Sequence, residues 1–159
     1  MYKRHRIISY ILVITALASG IIFDLQYSKI AEVAIPVIAI ALAMYIAVAT
    51  ALLGSPFSKS LKKRQDKENP KISMLGRLAS YLKIAGISSI LTIAISTIYI
   101  LEPQIIMMQT AFGKHYHCLL HCLSAASFAL YVFDLYLMIL ILLLLIVELL
   151  NAALPDNSD

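Results

Sequence analysis

The side chain best placed to do chemistry is a carboxyl in an apolar run, Asp134, in a stretch where no Lys or Arg follows Lys114. A span over about 128–148 puts it about 6 Å from the midpoint at the helical rise. An ionisable group at that depth costs roughly 2.5–3.5 kcal/mol on insertion scales and marks a functional site by default. Spacings of three and four set His117, His121, Ser124, Ser127, Tyr131, Asp134 and Met138 along one helical side as a polar seam. Two chemistries are open to it. Asp134, with Tyr131 and Ser127, lines an ion path in which a carboxylate favours cations, or it is held by hydrogen bonds from Tyr, Ser or Thr on neighbouring helices.

A second cluster stands just before that seam. His117 with His121, and Cys118 with Cys122, are each four apart and of types that bind soft or borderline metals. Three readings stay open: a metal site, a redox or disulfide role, and a polar cap at the membrane interface. No metal or cofactor is expected, because no Asp or Glu joins the cluster and no other span supplies a histidine near the same level. The Cys spacing is also not that of a C-x-x-C redox motif.

The third group is cationic. Lys59, Lys62, Lys63, Arg64 and Lys67 follow the helix stop Gly54-Ser55-Pro56, with Phe57 and Leu61 on one helical face among them. Such a segment is drawn to anionic lipid, by about 1 kcal/mol per basic residue near the surface. It equally offers a docking face to an acidic soluble partner. Direct nucleic-acid binding is not expected, since no fold or motif for it is present. The sequence also lacks G-x-S-x-G, a Gly-rich phosphate loop and H-E-x-x-H, so the expectation is a protein that is not an enzyme.

The elements that position these groups follow from composition. Of 159 residues 61% are hydrophobic and 14% charged, against roughly 45–50% and about 25% in a soluble domain. A soluble enzyme, a nucleic-acid module and a disulfide scaffold are poor fits. The apolar residues fall in four blocks near the ~20 residues needed to cross hydrocarbon, and they lack the alternation of barrel strands. An all-α polytopic membrane protein with one four-helix domain is predicted, spanning at about 7–26, 33–53, 82–101 and 119–148, with a basic loop at 54–81.

Of the thirteen Lys and Arg, all but Lys29 and Lys114 fall on one side of this topology, which places both termini in the cytoplasm. The basic start and Ala16-Leu17-Ala18 imitate a secretory signal, but the better reading is an uncleaved first helix in a bacterial inner membrane. Tyr10 and Tyr81 are expected at the inner interface, and Tyr27, Tyr99 and Tyr116 at the outer one. Helices in lipid meet through small residues, so Ala39, Ala43, Ala47 and Ala51 predict a packing stripe, either within the bundle or between copies. Ala16 with Gly20, and Ala85, Ser89, Thr92, Ser96 and Tyr99, make similar stripes.

Four spans, a short first outer loop and one basic inner loop, from Gly54-Ser55-Pro56 through Arg64 and on to Lys83, resemble the Kiwa anti-phage membrane subunits (KwaA). More distantly they resemble the Rex membrane protein of phage lambda. The first resemblance implies a homo-oligomeric inner-membrane assembly that senses infection or recruits a cytosolic, DNA-binding effector. The second implies ion leakage that depolarises the infected cell.

Overall fold

The computed structural model describes residues 2–66, 69–70, 72–106 and 115–153, the side chains of 53–54, 102–106, 115–120 and 151–153 excepted. Among the described residues the chain is all-α, with α1 Lys3–Ile22, α2 Tyr27–Gly54, α3 Pro56–Lys63, α4 Met74–Ile106 and α5 His115–Ala153. Four of these are long and apolar enough to cross a membrane, over Lys3–Ile22, Tyr27–Leu52, Met74–Leu101 and His121–Leu150. The chain is a multi-pass membrane protein, and its surface agrees: Ile14, Ile40, Ile98 and Leu143 all stand exposed, as side chains facing lipid do.

The helices outrun the hydrophobic spans because hydropathy marks the apolar slab, whereas caps set where a helix begins. The second helix starts at Tyr27 rather than near residue 33, since the Tyr27 N–H donates to Ser124 Oγ at 2.8 Å and builds the first turn onto α5. The third span starts at Met74 rather than near 82, where Ser73 Oγ accepts from the Gly76 N–H at 3.2 Å. The basic loop contains α3, which Ser55 caps by accepting from the Ser58 N–H, with Pro56 at the first turn.

α5 is the hub, packed against α1, α2 and α4, while α2 lies along α4. Ala16 and Gly20 of α1 are buried, and a Cβ at Gly20 would lie 2.9 Å from the Ala125 Cβ, so only glycine admits α5 this closely. The α4 stripe Ala85, Ser89, Thr92, Ser96 and Tyr99 is buried as well. The α2 stripe is not. Ala39, Ala43, Ala47 and Ala51 lie on the exposed side of α2, and the helix packs inward through Ala31, Ala34, Ile38, Ala41 and Tyr45. The expectation of internal packing through the first set is corrected, because Tyr27 and Tyr45, on the side of the second set, take the core. Tyr27, Tyr81 and Tyr99 are likewise core residues rather than interface anchors. Tyr27 and Tyr99 meet edge to face at 5.2 Å, while Tyr10 stays exposed and Tyr116 lies outside the described side chains.

Candidate functional site

Two places gather polar chemistry, one inside the bundle and one at its basic end. Inside, Asp134 is fully buried on the face of α5 turned to α4. The three-and-four periodicity of α4 brings Ser88, Ser89 and Thr92 to that level, and the Thr92 hydroxyl donates to Asp134 Oδ2. Ser88 adjoins the Asp134 carboxyl, and Ser89 Oγ and the Tyr45 hydroxyl are buried without a hydrogen-bond partner among the described residues. A carboxyl of one helix among hydroxyls from two others is the chemistry that holds a proton, a water or a monovalent cation.

Packed side chains stand on both flanks of this centre. On one side Ala41, Ala85, Leu137 and Ile141 form an apolar plug with Tyr45 and Tyr81. On the other the Tyr27 hydroxyl shares a 2.8 Å hydrogen bond with Ser96, and Ser124 Oγ donates to the Leu25 carbonyl at 2.7 Å. The seam read along α5 therefore divides. Asp134 meets the hydroxyls of α4, Tyr131 packs against the Tyr27 and Tyr99 cluster, and the Ser127 hydroxyl turns back to the Leu123 carbonyl at 2.8 Å. Ser88 and Tyr45 were missed, although Ser88 adjoins the predicted α4 stripe.

At the basic end, α3 lies against the bundle. Leu61 is 1% exposed and Phe57 packs beside it, over Leu52, Leu78 and Met74. Leu61 is turned into the bundle and so is not open to a partner, while Phe57 is half-buried, because an amphipathic helix beside a bundle buries its apolar face there first. What remains outward is cationic: Lys59, Lys62 and Lys63 are exposed, and Arg64 is paired to Glu148 of α5 at 3.1 Å. Lys67 lies outside the described residues.

The sequence reading also missed what fastens this end. Asp66, 2% exposed, takes two hydrogen bonds from Arg77, with Nε at 2.6 Å. The Arg77 guanidinium lies 4.8 Å above the Tyr2 ring. The Tyr2 N–H donates to the Tyr81 hydroxyl at 2.9 Å, and His5 Nδ1 lies 2.7 Å from the same oxygen. Burial, and then the neighbouring Asp66 carboxylate, push the Tyr2 phenol up to about 12. Asp66 is one of two acidic residues inside a basic run, and that contrast was the available signal.

The histidine and cysteine cluster divides in the same way. His117 and Cys118 lie outside the described side chains. His121 Nδ1 stands 2.9 Å from Asp24 Oδ1, in the turn between α1 and α2, and Cys122 is exposed. Among the described residues no group of three or more metal-ligating side chains forms. Comparison with known proteins finds no matching family model, no matching curated protein and no matching solved structure.

Proposed function

We propose that this chain is a non-enzymatic subunit of a bacterial inner membrane that assembles with copies of itself and holds a cytosolic effector at its basic end. The observation that carries the reading is the docking of α3: Leu61 is consumed by the bundle while Lys59, Lys62 and Lys63 stand outward. A fixed row of cations steers and selects an acidic partner. The Asp66–Arg77 and Arg64–Glu148 pairs add to the row's fixity. The exposed alanines of α2 supply a surface through which copies meet. The anti-phage setting, and an effector that itself binds DNA, rest on the topological resemblance to the Kiwa subunits. The test is a Lys62→Glu, Lys63→Glu, Arg64→Glu variant, which should lose co-purification with the tagged product of its neighbouring gene and lose protection against phage, while inserting normally. Unchanged co-purification would end the recruitment reading.

A second reading, cation conduction, is favoured by the buried hydroxyls of Tyr45, Ser88, Ser89 and Thr92 gathered at the level of Asp134. Under recruitment Asp134→Asn is tolerated. Ion flux in liposomes of the purified protein that vanishes with Asp134→Asn would assign conduction instead.

A further inference from the structure

A groove of about 460 Å³ opens between the end of α2, α3 and the start of α4. Its floor is Leu52, Leu75 and Leu82, and Ala49 and Ala79 leave it wide. Lys59 and Lys62 stand on its rim, three residues apart on one side of α3, with Ser58 beside them. Among the described residues no acidic side chain lines it, and neither lysine has an ion-pair partner.

Its level in the bundle is as informative as its lining. Ala49 and Leu52 close the α2 span, whereas Leu75, Ala79 and Leu82 open the α4 span. The apolar floor thus sits where the candidate spans of α2 and α4 meet α3, and the lysines stand beyond it on α3. We propose that this groove holds one anionic phospholipid of the inner leaflet, its phosphate between Lys59 and Lys62 and its chains along the leucine floor. Basic pockets between membrane helices bind anionic headgroups in this way. A peptide laid on the same floor would bring backbone groups into hydrocarbon without partners, which favours a lipid over an acidic protein segment. The groove along α1 makes a contrast: Ile8, Ile11, Leu12 and Phe128 line it with no cation, so it suits any acyl chain.

The inference shares its helix with the recruitment reading, yet it is read on the purified chain without a partner, so either can fail while the other stands. The experiment is native mass spectrometry of the full chain released from nanodiscs of equal phosphatidylglycerol and phosphatidylcholine. One phosphatidylglycerol per chain should be retained, with phosphatidylcholine about tenfold less. Lys59→Gln with Lys62→Gln should lower that retention by about thirtyfold, a loss set by two lysines at the surface. Ala79→Phe, which fills the groove and leaves every charge in place, should lower it as well. Equal retention of the two lipids, or retention indifferent to Ala79→Phe, would overturn the proposal. Release of phosphatidylglycerol by polyglutamate from the Ala79→Phe variant as readily as from the parent would also overturn it and assign the lysines to a protein partner.

Discussion

A Cβ at position 20 would lie 3.0 Å from the Ala125 Cα, which is backbone and cannot swing aside. Gly20→Leu is therefore expected to push α1 off α5, at a cost of about 1–3 kcal/mol or more, measured by detergent denaturation followed by circular dichroism. The two ion pairs of the basic end invite a sharper comparison. Asp66 and Arg77 have side chains 0% and 11% exposed, whereas Arg64 of the other pair is 49% exposed. Removing one partner of a buried pair strands a charge and costs about 3–5 kcal/mol, while an exposed pair is worth about 1 kcal/mol or less. Asp66→Asn should accordingly lower the unfolding midpoint far more than Arg64→Gln. Tyr2 gives this end a pH dependence. Its phenol ionises at about 12 in the folded chain against 10.0 for a free tyrosine, so the folded state keeps the proton longer. That contribution is whole below about pH 10 and is lost as pH rises toward 12. Tyr2→Phe should flatten that part of the alkaline stability profile, and an unchanged profile would remove Tyr2 from the account.

At the scale of elements, α3 is the test of how the basic end is built. Leu61→Glu places a carboxylate against Leu52 and Leu78, which burial without a partner does not tolerate. The helix should leave the bundle while the four spans stay, read as faster tryptic cleavage at Lys62 and Lys63 with unchanged helicity. The spans themselves were legible from the 61% hydrophobic composition and its blocks, and the α4 stripe from its spacing, because lipid and helix period both write directly into sequence. The partners were not. The Ala39 and Ala31 sides of α2 are both rich in small residues, and only the placement of Tyr27 and Tyr45 decides which one turns inward. Asp134 was legible as a buried carboxyl, but its donor Thr92 lies 42 residues away on another helix. Nothing in the spacing of α5 says which neighbour it faces. Asp66 is in the same position, since its cation Arg77 arrives from the first turns of α4.

For the whole molecule the decisive question is which way it sits. The Tyr2–Tyr81 hydrogen bond joins the N-terminal residues to the start of α4, and the Arg64–Glu148 pair joins α3 to the far part of α5. One end of the bundle therefore collects Lys3, Arg4, Arg6, Lys59, Lys62, Lys63, Arg64 and Arg77, all of them exposed except the half-buried Arg77. The opposite end holds the turn at 23–26, with Lys29 exposed beside it. Positive charge resists translocation, so the cationic end is expected in the cytoplasm. In a background carrying Cys118→Ser and Cys122→Ser, Gln26→Cys should label with an impermeant maleimide on intact cells, and Lys63→Cys only after permeabilisation. A reporter that folds only in the cytoplasm should be active when fused after Asp159. Labelling of Lys63→Cys from outside would reverse the orientation. That result would also remove the basic row from any cytosolic effector and the lysine-rimmed groove from the inner leaflet, because both share the end of the bundle that Tyr2, Arg64 and Asp66 hold together.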